Sequence, residues 1–250
     1  IPKRADPRVN DLTIAQLLTM QAGLERTSGP NYGRWVESRN WVDYVLSQPL
    51  IAEPGERMLY STGSYHVLGA ALAKASGKSL HALAKEWIGD TLGIVIPPWK
   101  RDPQGFYFGG NDMVLSPMGM LRFGEMHRLG GVWNGRRVLS EDWLRQAWMP
   151  RTLSPFSGDD YGYGWFIAEL GGQKVTYARG YGGQMIYIVP ALELTVVVTS
   201  DPTQPARSRA DSRLRDLSKR GAVPPCLARL SPRHGCRKVL PVSQRVGRPP

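Results

Sequence analysis

The chain has 250 residues, of which 42% are hydrophobic and 21% charged, and this composition is typical of a soluble globular protein. No apolar run approaches the ~20 residues of a membrane-spanning helix, so the sequence predicts no membrane span. The net charge of +11 does not indicate nucleic-acid binding by the first 206 residues, because residues 207–250 hold 12 Lys and Arg against only Asp211 and Asp216.

The first half of the chain has the apolar spacing of helices, with capping residues at the starts and Gly or Pro at the ends. The predicted helices run from Asp11 to near Gly23, over 41–46 before Pro49, over 64–75 before Gly77, over 80–92 before Gly93, over 117–129 before Gly130, and onward from an N-cap at Ser140. A Gly- and Pro-rich stretch around Gly109 and Gly110 predicts a loop between the fourth and fifth of them.

After Tyr161 the pattern changes to short runs of β-branched and aromatic residues separated by Gly or Pro turns. Four such runs cover 163–167, 174–177, 185–189 and 194–198. Their close spacing without intervening helices predicts an antiparallel meander. Helices followed by a block of strands indicate an α+β fold.

The last part of the chain differs in composition from the rest. Residues 207–250 are rich in Arg and Pro and contain both cysteines, Cys226 and Cys236. We predict one folded domain over 1–206 and a tail over 207–250 that is disordered or translated out of frame. Cys226, His234 and Cys236 are too weak a signal for a metal site, so we expect no metal and no other cofactor.

Tyr60-Ser61-Thr62, just ahead of the predicted helix over 64–75, begins the most informative segment. The segment resembles the second catalytic motif of the serine β-lactamase and penicillin-binding-protein superfamily, in which a Tyr opens a Tyr-x-Asn or Tyr-x-Ser triplet. LTIAQLLTMQAGL, FYFGGNDMVLSPMGMLRFGEMHRLGG and ARGYGGQMIYIVPALELTVVVTS are similar to further family segments, in register from about residue 11 to 201. The resemblance is nearest to esterase-type members and to aminohexanoate-oligomer hydrolases.

The resemblance implies a β-lactamase/transpeptidase-like fold, with an antiparallel sheet flanked by helices and a helical subdomain. It also implies hydrolysis of an ester, amide or β-lactam through a serine acyl-enzyme, with Tyr60 as the catalytic proton relay and Thr62 as a substrate contact. The family's nucleophile lies in a Ser-x-x-Lys motif, and no serine of this chain has Lys three residues later. We therefore expect a fold incomplete at its N-terminus, starting after its nucleophile and inactive alone.

The segment Gly180-Tyr181-Gly182-Gly183-Gln184 is similar to the family's third motif. The resemblance implies that Tyr181, Gly182, Gly183 and Gln184 line the substrate site, where a backbone N–H could supply half of an oxyanion hole. The same residues also fit an ordinary hairpin turn between two strands, and both interpretations can hold together. Arg179, just before the motif, stands where relatives differ.

Two other functions stay open at this point. One is a non-catalytic relative that holds ligands in the same cleft. The other is non-specific nucleic-acid binding through the basic tail, which high salt would weaken.

His66, His81 and His127 stand alone on helices and are predicted to be packed or solvated. The sequence leaves the compartment open between periplasmic, secreted and cytoplasmic.

Overall fold

The computed structural model describes residues 1–201. The predicted tail and the predicted boundary at residue 206 lie outside the described residues. The α-helices are α1 (Ile14–Leu18), α2 (Tyr32–Val36), α3 (Trp41–Leu46), α4 (Thr62–Ser76), α5 (Leu80–Ala84), α6 (Asp90–Leu92), α7 (Pro117–Arg128) and α8 (Glu141–Ala147). The strands are β1 (Val132–Trp133), β2 (Arg136–Arg137), β3 (Thr152–Leu153), β4 (Asp160–Tyr161), β5 (Phe166–Leu170), β6 (Gln173–Arg179), β7 (Met185–Val189) and β8 (Leu194–Val198).

The predicted antiparallel meander is confirmed. β3 to β8 form one six-stranded sheet in sequential order, and β1 and β2 form a separate hairpin. Neighbouring strands of the large sheet are antiparallel, with Tyr177 opposite Tyr187 in the central pair. β5 begins at Phe166 rather than at the predicted Tyr163, because Gly164 has a φ of +81° and turns the chain there.

Two predicted helices differ from the structure. The first is shorter than predicted, because Thr13 and Gln16 form a capping box at its start and the positive φ of Met20 ends it early. The helix predicted over 80–92 is divided, since a π-helical turn over Lys85–Gly89 separates α5 from α6. α4 ends as predicted, at Gly77 in the left-handed conformation.

The sheet is covered on both faces, which follows from the alternation of side chains along a strand. Met185, Tyr187 and Val189 of β7 pack in a cluster on one face, and that cluster also contacts Tyr60. Ile186 and Ile188 point to the opposite face, where α7 and α8 cover them. Tyr60 therefore lies on the face of the sheet opposite to α7.

The helical part before the sheet has its own core, built around Trp35, Trp41 and Phe108. The three rings contact one another with centroids 4.3 to 5.8 Å apart. Their packing joins α2 and α3 to the loop after residue 99. In residues 1–201, no helix is long and apolar enough to cross a bilayer.

Candidate active site

The start of α4 is fixed by side chains from a distant segment. Ser61, the N-cap residue, is buried, and its hydroxyl accepts a hydrogen bond from the Thr27 backbone N–H at 3.1 Å. The N–H of Thr62 donates to the Ser28 hydroxyl at 2.8 Å, and the N–H of Gly63 donates to the Thr27 hydroxyl at 3.1 Å. These bonds satisfy N–H groups that the helix leaves unpaired, so residues 27 and 28 cap α4.

The loop that contains Gly109 and Gly110 packs closely against the backbone of the first turn of α4. A Cβ atom at Gly110 would stand 2.4 Å from the carbonyl oxygen of Thr62, and one at Gly109 would stand 2.2 Å from that of Tyr65. Because real Cβ atoms do not approach backbone so closely, only glycine fits at either position. The predicted loop around Gly109 and Gly110 therefore forms a wall beside the Tyr60 motif.

A buried His–Asp pair fastens this loop to the helix. His66 Nε2 of α4 lies 3.1 Å from Asp102 Oδ2, and both side chains are fully buried. Asp102 Oδ1 also accepts the N–H groups of Gln104 and Phe106. The N–H of Gly109 donates to His66 Nδ1 at 3.4 Å, so the neutral ring carries its proton on Nε2 and donates it to the carboxylate. Burial lowers the pKa of His66, and Asp102 opposes this only in part.

Tyr60 lies at the edge of the cluster on the sheet face and is half-buried. Its ring meets Phe156 edge to face, with centroids 6.4 Å apart. Burial raises the pKa of the Tyr60 phenol, and the positive charge of Arg179 opposes this shift. The phenol is therefore protonated at neutral pH. Within residues 1–201, no side chain or carbonyl is hydrogen-bonded to its hydroxyl.

The neighbouring tyrosine hydroxyls are occupied. Tyr65 donates to the Leu18 carbonyl at 2.8 Å and lies 3.2 Å from the Tyr161 hydroxyl. Tyr177 donates to the Asp159 carboxylate at 2.5 Å. Burial raises the pKa values of all three. The hydroxyls of Tyr65, Tyr161 and Tyr177 are thus hydrogen-bonded, whereas the Tyr60 hydroxyl has no such partner within residues 1–201.

Thr62, the predicted substrate contact, begins α4 two residues after Tyr60. Its hydroxyl lies 2.9 Å from the Ser28 hydroxyl. The side chain therefore closes the cap described above, and a ligand would have to compete with Ser28 for it.

The predicted third motif forms the turn between β6 and β7. Tyr181 is 89% exposed, and Gly182 and Gly183 have φ values of +76° and +91°, which glycine adopts without strain. Gln184 exchanges hydrogen bonds with the backbone of Ser200, and the Ser200 hydroxyl donates to the Gly182 carbonyl. The hairpin interpretation is thus confirmed, and the Gln184 amide fastens the turn to the segment after β8.

Arg179 lies at the start of this turn, and its positive charge affects the pKa of Tyr60. It is the last residue of β6, two residues after Tyr177, and side chains two apart on a strand share a face. Its positive charge lowers the pKa values of the Tyr60, Tyr177 and Tyr187 phenols, against the larger raising effect of burial. The structure thus brings Tyr60, Thr62 and Arg179 to one region, although no hydrogen bond within residues 1–201 joins Tyr60 to the 180–184 turn.

The fold brings four further residues to this region that no motif in the sequence predicts: Arg26, Thr27, Ser28 and Phe156. The three histidines are packed as predicted: His66 and His127 are buried, and His81 Nε2 lies 2.9 Å from the Ile96 carbonyl. In the part of the chain that the structure describes, no group of three His, Cys, Asp or Glu side chains could hold a metal ion.

Comparison with known proteins places this arrangement in a family. Over residues 1–219 the chain matches the family model described as beta-lactamase. A fimbrial assembly protein of Dichelobacter nodosus, described as FimD of serogroup H1, is 32% identical over 91 residues, which are 35% of this chain and 23% of that protein.

Solved structures share the fold. One from Bacillus anthracis, described as a 6-aminohexanoate-dimer hydrolase, has a TM-score of 0.66 at 20% identity, over 84% of this chain and 61% of that one. An octameric penicillin-binding protein homologue from Pyrococcus abyssi has a TM-score of 0.59 at 20% identity, over 78% of this chain and 55% of that one. A penicillin-binding protein from Bacillus halodurans has a TM-score of 0.62 at 15% identity, over 85% of this chain and 74% of that one. This chain thus spans about three fifths of the Bacillus anthracis relative, has the β-lactamase/transpeptidase-like fold, and belongs to the beta-lactamase family.

Proposed function

We propose that this chain forms the tyrosine side of a serine acyl-transfer site that hydrolyses a small-molecule ester, amide or β-lactam. The observation that carries the proposal is that the Tyr60 hydroxyl is protonated and has no hydrogen-bond partner in the described residues. Its phenol is protonated at neutral pH, and burial raises its pKa further. Its hydroxyl has no hydrogen-bond partner within residues 1–201, whereas those of Tyr65, Tyr161 and Tyr177 are hydrogen-bonded. A proton donor that is held in place and free to bind is what general acid catalysis requires.

The chemistry divides between two groups. A serine hydroxyl is a weak nucleophile at neutral pH and needs a base beside it to accept its proton. The base takes the proton of the serine as the serine attacks the carbonyl. The departing amine or alkoxide then needs a proton: the Tyr60 hydroxyl gives it up and takes the serine's proton from the base in its place, so that Tyr60 relays one proton and ends protonated. Thr62, Tyr181, Gly182, Gly183 and Gln184 remain the predicted substrate contacts. Neither metal nor organic cofactor takes part in this proposal.

The proposed site also needs a serine nucleophile and a base. None of the serines has Lys three residues later, so the nucleophile and its base would come from residues outside these 250. The 250-residue chain is therefore expected to show no burst and no turnover with p-nitrophenyl acetate or a chromogenic cephalosporin. Stoichiometric release of nitrophenol would contradict this part directly.

The role of Tyr60 is tested in the product of the full reading frame around the Ile1 codon. If that product contains Ser-x-x-Lys, Tyr60→Phe should reduce kcat for a p-nitrophenyl ester by about 10²- to 10⁴-fold. Tyr44→Phe, a change at a half-buried tyrosine of α3, is the matched control and should leave the rate unchanged. Equal rates for wild type and Tyr60→Phe would refute the assignment. A reading frame without Ser-x-x-Lys would favour the non-catalytic ligand-binding relative.

A further inference from the structure

Phe156 is a large apolar side chain that the fold holds in solvent. It is 58% exposed and lies in the loop between β3 and β4. Single exposed apolar residues are common on protein surfaces and need no explanation. Phe156 differs from them because its ring contacts that of Tyr60, with centroids 6.4 Å apart and an interplanar angle of 85°. Tyr60 is the residue whose hydroxyl has no hydrogen-bond partner in the described part of the chain.

The loop that carries Phe156 is built around a buried serine. The Ser154 hydroxyl accepts the N–H groups of Phe156 and Ser157, at 3.3 and 3.4 Å. The Ser154 N–H donates to the Asp159 carbonyl, and the Gly158 N–H donates to the Ser154 carbonyl, both at 2.9 Å. Gly158 has a φ of +75°, which lets the chain turn back. The loop therefore presents the ring at its tip in a defined position.

Two more contacts fix the loop relative to the sheet and to the helical part. The Asp159 carboxylate accepts the Tyr177 hydroxyl of β6, which joins the loop to the sheet. Arg26 Cζ lies 5.9 Å from the centroid of the Phe156 ring, within the range of a cation–π contact. Arg26 immediately precedes Thr27 and Ser28, which cap α4. The ring thus stands between the segment that caps α4 and the Tyr60 phenol.

We infer that Phe156 determines which ligands the Tyr60 site accepts, as an aromatic wall that favours an aryl group next to the carbonyl of an ester or amide. This inference rests on the proposed function, because it takes the Tyr60 hydroxyl as the point where the ligand carbonyl or its leaving group binds. The Phe156 ring is apolar, 58% exposed, and in edge-to-face contact with the ring that carries that hydroxyl. A planar group of the ligand can stack on it, and an alkyl group gains less from the same contact.

The test uses the 250-residue chain with ¹³C-labelled tyrosine rings and two neutral probes, phenylacetamide and butyramide. Phenylacetamide should shift the Tyr60 resonance, assigned with Tyr60→Phe, and Phe156→Ala should weaken its binding by about three- to tenfold. Butyramide binding should change by less than about twofold, since an alkyl group lacks the ring contact. Phe156→Tyr should keep the preference for phenylacetamide.

The matched control is Leu153→Ala, which removes another exposed apolar side chain of the same hairpin, 62% exposed. It should leave both affinities unchanged, and circular dichroism should show that all variants remain folded. The inference is overturned if phenylacetamide does not shift Tyr60, or if Phe156→Ala weakens both probes equally. Ester hydrolysis by the longer reading frame is a separate measurement. Its absence would refute the proposed reaction and leave the aryl preference measured at Tyr60 as it stands.

Discussion

His127 makes the stability of this protein sensitive to acid. The imidazole lies on α7 against the sheet and is only 4% exposed. It packs between Phe123 and Trp165, with ring centroids 4.5 and 4.9 Å away and the rings tilted by 56° in both pairs, and its Nδ1–H donates to the Phe123 carbonyl at 2.8 Å. Burial lowers the pKa of His127 from 6.5 to about 4, and the hydrogen bond to Phe123 opposes this only in part.

The sign and size of the effect follow from proton linkage. Between pH 6.5 and pH 4 the unfolded chain binds a proton at His127 that the folded chain does not bind, so the free energy of unfolding falls as the pH falls. The folded pKa of about 4 against 6.5 unfolded corresponds to a loss of about 3 kcal/mol between pH 7 and pH 4. The stabilisation is fully present above pH 6.5. A loss of this size is a large fraction of the ~5–15 kcal/mol that stabilises a typical domain.

The contribution of His127 to the free energy of unfolding is measured by urea unfolding followed by circular dichroism. Wild type and His127→Phe are compared at pH 7, 6, 5 and 4. The variant keeps a planar ring between Phe123 and Trp165 but cannot take up a proton. At pH 7 it should be less stable by about 1 kcal/mol for the lost hydrogen bond. Relative to wild type it should then gain about 3 kcal/mol on going to pH 4. Other titrating groups, His66 included, are present in both proteins and cancel. A stability difference that does not change with pH would refute the reasoning.

Three further predictions concern stability and are also measured by urea unfolding with unchanged m values. Asp102→Ala should cost about 3–5 kcal/mol, because it removes a buried carboxylate that accepts three hydrogen bonds; a loss below about 1 kcal/mol would contradict this. Gly124→Ala on α7 should cost about 1–3 kcal/mol, because the new Cβ would meet methyl groups of β7 and β8 at 2.7 and 2.8 Å. The matched change Gly33→Ala in α2 enters open space and should stabilise by up to about 1 kcal/mol. If the two glycine variants were equally stable, the packing argument would fail. Thr27→Val should cost about 1–3 kcal/mol, since the buried N–H of Gly63 loses its acceptor, and a neutral result would show that another group replaces the threonine.

The strand block and most helices could be predicted because their signals are local. Residues 185–189 and 194–198 were predicted with the bounds that the structure has, since short β-branched runs between turns pair with their neighbours in sequence. Gly77 ends α4 as predicted, because a left-handed residue after a helix favours glycine. The division of the helix over 80–92 was missed, because no Pro within these residues marks the π-helical turn over Lys85–Gly89.

The sequence by itself determined the family, most of the helices and the strands from β5 to β8, because these depend on short segments or on a pattern along the chain. It also predicted Tyr60 as the candidate catalytic residue, whereas α2 and the short strands β1 to β4 were not predicted. Only the tertiary structure decided what each site residue contacts. The Thr62 hydroxyl meets the Ser28 hydroxyl, 34 positions away, and the Tyr60 ring meets Phe156 of the loop between β3 and β4. Such contacts depend on the packing of helices and strands far apart in sequence, and this packing brings the Tyr60 ring to Phe156 and the glycine loop to the start of α4.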